Sequence, residues 1–308
     1  VTLDQAGNDF GSIGVTGANV VITDTDDVDL AASTVSGTLT VNAGGAVTDS
    51  GNLAVTGATA VNASGQDVTL DQAGNNFGAI GVTGANVTIT DTNAVDLAAS
   101  AVSGNLSVTA GGDITDSGAV DVTGTASFTV ANGMSVLLDT AANTFSNAVS
   151  FAASSGNIAN ITLTDDTAVD LQGVSITGNL TVDAGGAVTD SGNLVVAGNT
   201  TINASGQDVT LDRAGNDFSS IGVTGANVSI TDSNTVDLAA STVSGTLTVN
   251  AGGAVTDSGN LAVTGATAVN ASGQDVTLDQ AGNDFGSIGV TGANVVITDT
   301  DDVDLAVS

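Results

Sequence analysis

Short acidic stretches are the part of this sequence whose residue types could do chemistry. Residues 23–29 read TDTDDVD, and related stretches occupy 90–96, 164–170, 231–237 and 298–304. Carboxylate oxygens are the ligands that a hard cation such as Ca²⁺ prefers. The first and last Asp persist in all five stretches and are therefore the candidate Ca²⁺ ligands: Asp24, Asp29, Asp91, Asp96, Asp165, Asp170, Asp232, Asp237, Asp299 and Asp304.

The spacing of these stretches favours a second interpretation, in which they are solvated turns. Neither the twelve-residue EF-hand loop nor the glycine-rich nonapeptide of calcium-binding β-rolls is present. Matching strands along the sequence places Thr48 and Thr69 between Asp29 and the next acidic position, Asp96. Carboxylates separated in this way repel one another little without any metal. The sequence thus predicts solvated acid, with Ca²⁺ binding as the alternative and no other cofactor.

The strands and turns that position these acidic stretches belong to a chain that is strongly acidic as a whole. The 308 residues include 33 acidic residues, all Asp, and one basic residue, Arg213, for a net charge of −32. Such a surface offers no cations to nucleic acid or to an anionic membrane. No apolar run is long enough to span a bilayer. We therefore expect no nucleic-acid partner and no membrane insertion.

Catalysis is not expected from these residues. His and Cys are absent, and the carboxylates recur with the repeats, whereas an active site normally breaks repeat symmetry. Arg213 stands where Gln5, Gln72 and Gln280 stand in other copies, which indicates a surface substitution. We expect that the chain is not an enzyme.

Internal repetition dominates the sequence. A Val/Ile-Thr/Ser/Ala-Gly signature recurs at intervals of 20 or 27 residues, and its units form the groups 15–81, 82–148, 149–222 and 223–289, of which the third is seven residues longer than the others. Residues 1–31 are identical to residues 276–306. This restart predicts that the chain is a slice of a longer tandem array.

Each unit reads as short strands separated by turns. Residues 39–41 (LTV), 87–89 (VTI) and 106–108 (LSV) alternate apolar and polar residues, with Gly, Asn or Asp following. Units this short bury a core only by stacking. We predict an all-β fold without helix: one single-stranded, right-handed parallel β-helix (β-solenoid) over 1–308, with about 13 coils of 20 and 27 residues. An array of antiparallel sandwiches is the alternative.

Two further surface functions are open to test. The Phe residues of the longer units, Phe10, Phe77, Phe218 and Phe285, could stack on sugars, although a plug in the core is the favoured interpretation. An ice-binding face would need the same hydroxyl residue on every coil. The outward residue at the centre of successive strands is Val21, Thr40, Ala60, Thr88 and Ser107. These residues do not form a regular array of hydroxyl groups.

The repeats resemble those of filamentous-haemagglutinin-like exoproteins. The resemblance lies in strings such as GTLTVNAGGAVTDSGNLAVTGATAVNASGQDVTLDQAGNDF, of which residues 37–77 are a near-copy, and it extends over essentially the whole chain. It implies a long right-handed β-helix outside the cell, commonly exported by two-partner secretion. Members act as adhesins, shafts or fibres, and they share no catalytic residues that could be transferred.

Two functions follow as hypotheses. The first is a structural shaft or fibre, extracellular or on a bacterial cell surface, which continues or self-associates end to end. The second is an adhesin for a host glycan or surface protein. Its binding region would be the least regular segment, 126–175, which contains Phe128, Met134, Phe145 and Phe151.

Overall fold

The chain folds as an all-β, right-handed parallel β-solenoid of about 15 turns, which confirms the predicted fold class. The computed structural model describes residues 1–140 and 143–306. Residues 141 and 142, within group 82–148 and region 126–175, and residues 307 and 308, within the predicted solenoid, lie outside the described residues. In the described part of the chain no helix could cross a membrane.

The backbone divides into two compact units, Val1–Ile158 and Ala159–Ser308. The strands of the first unit are β1 (Thr2–Leu3), β2 (Ser12–Ile13), β3 (Thr16–Gly17), β4 (Val20–Asp24), β5 (Val28–Leu30), β6 (Ser33–Val35), β7 (Leu39–Ala43), β8 (Val47–Asp49), β9 (Leu53–Asn62), β10 (Val68–Leu70), β11 (Asn76–Gly84), β12 (Val87–Asp91), β13 (Val95–Leu97), β14 (Ser100–Val102), β15 (Leu106–Ala110), β16 (Ile114–Asp116), β17 (Val120–Val122), β18 (Ala126–Val130), β19 (Val136–Leu138), β20 (Thr144–Phe145) and β21 (Val149–Ala153).

The second unit is built in the same way. Its strands are β22 (Ile161–Asp165), β23 (Val169–Leu171), β24 (Val174–Ile176), β25 (Leu180–Ala184), β26 (Val188–Asp190), β27 (Leu194–Asn203), β28 (Val209–Leu211), β29 (Asp217–Gly225), β30 (Val228–Asp232), β31 (Val236–Leu238), β32 (Ser241–Val243), β33 (Leu247–Ala251), β34 (Val255–Asp257), β35 (Leu261–Asn270), β36 (Val276–Leu278), β37 (Asp284–Thr291) and β38 (Val295–Ile297).

Alternation of apolar and polar residues produces these strands, because successive side chains point to opposite faces of a sheet. In β4, Val20 and Ile22 are buried and Val21 lies at the surface. Parallel pairing then stacks equivalent side chains: Val28 lies beside Val47, and Val47 beside Val68. The core of each unit is therefore a column of aliphatic residues in register.

The coils are more uniform than the sequence predicted. Val55 pairs with Phe77, 22 residues later, whereas Val82, 27 residues later, pairs with Val61. The 27-residue interval therefore closes one coil and adds one further strand. For this reason the turns number about 15 and not about 13.

Because of the added strand, each strand type moves to a different side of the solenoid in the next group. The short strand β5 begins a column in which Val28, Val47, Val68 and Val87 follow one another, and Val87 opens the long strand β12. The second unit repeats this shift, because Val209 pairs with Val228 of β30. Each group of three signatures thus moves every strand type to the next side of the coil.

This rotation changes which surface residues are neighbours. Val21, Thr40 and Ala60 form one outward column, as predicted. Thr88 and Ser107, however, continue a different column below Thr69. The five outward residues that argued against a hydroxyl grid therefore lie on two sides of the solenoid and not on one.

Candidate functional site

The first Asp of each acidic stretch is buried rather than solvated. Asp24, Asp91, Asp165 and Asp232 end five-residue strands, and their exposed fractions are 3%, 2%, 1% and 2%. The fifth equivalent, Asp299, is half-exposed. The prediction of solvated acid is therefore wrong for these four carboxylates, although it is correct for Asp26 and Asp27 in the turn that follows.

The buried carboxylates accept hydrogen bonds from the turn that follows them and from the preceding coil, and so they link the two. Oδ1 of Asp91 accepts the N–H of Asn93 at 2.9 Å, which forms an Asx turn. Oδ2 accepts the N–H of Phe77 at 2.7 Å, from the preceding coil. Asp232 holds Asn234 and Phe218 in the same way. Burial raises the pKa of Asp91 and Asp232, and the hydrogen bonds from the backbone oppose that rise.

The last Asp of each stretch lies at the surface among hydroxyl groups. Asp29 Oδ2 accepts hydrogen bonds from the hydroxyls of Ser12 and Ser50, both at 2.6 Å, and these bonds lower its pKa. Asp237 accepts from Ser220 and Ser258 in the second unit. Asp170 accepts one long bond from Thr189, at 3.5 Å.

Asp96 differs from the other surface carboxylates. Its Oδ1 is buried and has no hydrogen-bond partner. Asp96 pairs with Ala79 and Thr115, and Ala79 occupies the position of Ser12 and Ser220. The ladder after Asp29 therefore runs through Thr48 and Thr69, as predicted, but it does not reach Asp96.

Calcium binding at the ten candidate residues stays a prediction. Both oxygens of the Asp91 type accept N–H groups, so a cation there would have to displace one of them. In the described part of the chain, three carboxylates with ligand atoms within 4.8 Å of one another are Asp284, Asp299 and Asp301. Burial, together with the neighbouring Asp299 and Asp284 charges, raises the pKa of Asp301.

A second set of buried polar residues was not predicted from the sequence. Each member pairs an Asp at the end of a short strand with an Asn one coil later, and each Asn has an exposed fraction of 0%. We call these pairs the Asp–Asn staples: Asp49–Asn75, Asp116–Asn143, Asp190–Asn216 and Asp257–Asn283.

Each staple uses both ends of the Asn amide, as the first shows. Asn75 Nδ2 donates to Asp49 Oδ2 at 2.6 Å, and Asn75 Oδ1 accepts the N–H of Leu53 at 2.8 Å. Asp49 Oδ1 also accepts the N–H of Asp71. Burial raises the pKa of Asp49, while these donors act in the opposite direction. The staple therefore closes the corner where the chain changes side.

A sequence signal for the staples did exist. Thr-Asp-Ser-Gly recurs at 48–51, 115–118, 189–192 and 256–259, and an Asn follows its Asp by 26 or 27 residues. The signal was missed because charged side chains are almost never fully buried unless they are paired.

Arg213 has the role of the Gln that it replaces. Its Nε donates to the carbonyl oxygen of Asp190 at 3.2 Å, and Gln72 Nε2 donates to the carbonyl oxygen of Asp49 at 3.1 Å. Arg213 is exposed, which agrees with the prediction of a surface substitution, and this contact preserves one hydrogen bond to the backbone.

Six of the seven Phe residues belong to the core, whereas Phe10 is half-exposed. Phe77, Phe218 and Phe285 have exposed fractions of 1%, 0% and 2%, which confirms the plug and leaves no ring free for sugars at these positions. In the first unit, Phe128 packs edge-on against Phe145 and in a stacked arrangement against Phe151. These three rings therefore offer no surface for adhesion.

Comparison with known proteins identifies one family. Its model is described as repeats of unknown function (DUF5649), and it matches four successive segments: 17–83, 84–152, 158–224 and 225–292. Each segment begins two residues or more after a predicted group boundary. No curated protein and no solved structure matches the chain.

Proposed function

This chain belongs to the family described as repeats of unknown function (DUF5649), and we propose that it serves as a structural shaft or fibre outside the cell or on a bacterial cell surface. The repeat-containing β-solenoid fits a structural repeat protein. The resemblance to filamentous-haemagglutinin-like exoproteins supports the extracellular setting. The proposal includes no catalytic step.

The observation that carries the proposal is the repetition of the Asp–Asn staples. Four copies of one buried arrangement close equivalent corners. Hydrogen bonds to a buried charge contribute about 1.5–3 kcal/mol each. A chain that repeats its strongest polar contacts at every group, and varies mainly at its surface, is suited to mechanical continuity.

Charge supports the same function. With 33 acidic residues and one basic residue, chains repel one another at neutral pH. Parallel strands at an open sheet edge would otherwise pair with other chains. The acid therefore keeps shafts soluble and separate.

Electron microscopy of the native material tests this proposal. We expect thin, unbranched fibres of constant width, along which a label on Arg213, the one basic side chain, recurs at regular intervals. Compact particles in place of fibres would contradict the shaft.

An adhesin remains the second candidate, on the strength of two exposed turns in the first unit. Asn157 N–H donates to Asn132 Oδ1 at 3.1 Å, and Gly133 N–H donates to the carbonyl oxygen of Asn157 at 2.9 Å. These turns, 131–134 and 154–157, project where other corners have Gly-Gly.

Replacing both turns tests the adhesin candidate without disturbing the core. A variant that carries the shorter turn of residues 111–113 at both places should lose adhesion to host cells or to a glycan array if the turns bind. The matched control replaces the turn at 64–67 instead. Equal adhesion of both variants and the wild type would remove this candidate.

A further inference from the structure

Four neighbouring strands of the first unit present a regular array of hydroxyl groups. β12, β15, β18 and β21 pair in register, and each turns two side chains outward. We call these residues the hydroxyl array; seven of the eight outward positions hold Ser or Thr: Thr88, Thr90, Ser107, Thr109, Ser127, Thr129 and Ser150. Ala152 fills the eighth.

The array is ordered in two directions. Its hydroxyls repeat at about 4.8 Å from coil to coil and at about 6.7 Å along each strand. The first column extends further, through Thr69 and Thr48. Thr side chains are stiff because they branch at Cβ, so little entropy is lost when their hydroxyls become fixed.

Most of these hydroxyls are available for bonding. Ser150 donates to the carbonyl oxygen of Ala126. Among the described residues, no hydrogen bond is made by the hydroxyls of the other six residues. By contrast, Ser12 and Ser50 give their hydroxyls to Asp29. The array therefore holds donors and acceptors that the protein itself does not use.

The array is also free of charge in a chain of net charge −32. None of its outward residues is ionisable. Asp91, at the end of β12, is buried, and Asp113 is the carboxylate of the adjoining corners 92–94, 111–113, 131–134 and 154–157. An uncharged partner thus reaches this face without displacing counter-ions.

The properties of the array restrict its partner. Sugar surfaces usually require exposed aromatic rings, and Phe128, Phe145 and Phe151 are buried. The four strands cover roughly 300 Å², well below the roughly 800 Å² per partner of a stable protein interface. A partner that is uncharged, hydrogen-bonding and periodic in two directions remains.

We propose that the hydroxyl array binds the surface of ice. The oxygen spacings of ice are close to the two repeats of the array, so waters fixed between the hydroxyls extend the crystal lattice. This function is independent of the shaft, because it needs only one side of four coils. It makes the chain an ice-attaching or ice-growth-modifying segment.

Ice-affinity partitioning tests the proposal with charge-matched variants. Thr109→Asp places a carboxylate in the array, and the fold accepts it because Asp183 has the equivalent place in β25. Thr248→Asp adds the same charge outside the array, at the second residue of β33, which is the other outward position of that strand. When ice is grown slowly from dilute protein, we expect wild type and Thr248→Asp to enter the ice, and Thr109→Asp to be reduced by about tenfold.

A gain-of-function pair strengthens the test. Ala152→Thr completes the second column and should increase the protein in the ice fraction, whereas Ala268→Thr, below Thr248 in the second unit, should not. Circular dichroism confirms that each variant is folded.

Three outcomes would overturn the proposal. Wild type could be excluded from ice like a non-binding protein. Thr109→Asp and Thr248→Asp could partition equally. Thr109→Asp could change only the self-association measured by sedimentation, which would make the array an interface between copies.

Discussion

Asn75 is completely buried although both ends of its amide are polar. The amide suits this position because it donates to the Asp49 carboxylate and accepts from the Leu53 N–H at the same time. Neither Asp nor Leu could do both. One residue therefore links two coils and balances a buried charge.

Replacing Asn75 by Ala should lower the free energy of unfolding of the first unit by about 3 kcal/mol, because it leaves a charged acceptor and a backbone donor unsatisfied. Chemical denaturation measures this loss, and amide exchange at Leu53 localises it. The control is Asn76→Ala at the exposed neighbouring position, with an expected change within about 0.5 kcal/mol. Equal effects at both positions would show that the staple contributes nothing special.

At Asp96 a hydrogen bond can be added, because this residue lacks the serine donors that Asp29 and Asp237 have. Ala79→Ser restores the hydroxyl that Ser12 offers to Asp29 and should stabilise the first unit by about 1 kcal/mol. Ala101→Ser, on an exposed outward position without an orphaned acceptor, serves as the control. A thermal melt in which Ala79→Ser is no more stable than Ala101→Ser would contradict the expectation.

For single residues, the sequence predicts only part of what the structure shows. Thr48 and Thr69 were placed correctly beside Asp29, because period-two alternation fixes which side chains share a face. The burial of Asp24 was missed, since a charged residue in a turn is ordinarily solvated. Its partner, the N–H of Phe10, lies 14 residues away, and no local pattern identifies it.

The corners between strands depend on how closely two coils approach. A Cβ on Gly51 would lie 2.3 Å from the backbone nitrogen of Ala32 in the coil before it. Gly65 has a different reason to be glycine: its φ is +77°, and a Cβ there would meet no other atom within 4 Å. Gly51 is required by the close contact between coils, and Gly65 is required by its backbone conformation.

This difference predicts that replacement by Asn destabilises the protein much less at Gly65 than at Gly51. Gly65→Asn should cost less than about 1 kcal/mol, because Asn tolerates the left-handed region. Gly51→Asn should cost about 3 kcal/mol or prevent folding, because the coils must separate. Urea unfolding of the two variants makes the comparison. A similar loss for both would mean that backbone conformation, not contact, requires Gly51.

The elements themselves were predictable, whereas their stacking order was not. Residues such as 39–41 alternate so regularly that strand, core face and fold class follow from the sequence. From the sequence, the 27-residue interval predicts one long coil, because a spacing between signatures does not tell which strand lies beside which. Only the pairing of Val82 with Val61 shows the additional strand.

The charge of the whole chain makes its response to acid unusual. Burial raises the pKa of Asp49, Asp91 and Asp232 above the ordinary 3.8, so the folded state binds these protons more tightly than the unfolded state. Their stabilising contribution is present at low pH and is lost as pH rises through the folded pKa. Asp29, whose pKa is lowered, contributes above 3.8 and loses its effect below it.

We therefore expect the melting temperature to rise as pH falls from 7 toward 4, where most proteins begin to lose stability. Thermal melts at a series of pH values and low protein concentration measure the effect. Asp91→Asn should flatten the curve, whereas substitution of the exposed Asp27 by Asn should flatten it less. A melting temperature that falls steadily from pH 7 to 4 would contradict the assignment.

The rotation of the strand types by one side per group also has a mechanical meaning. Within each unit, the column that begins with a short strand ends with a long one. Within a unit, successive groups therefore place long and short strands on the same side of the coil in turn. In the shaft that we propose, this rotation within each unit would leave no side weaker than the others, and a partner that recognises one strand type would have to move around the coil from one group to the next.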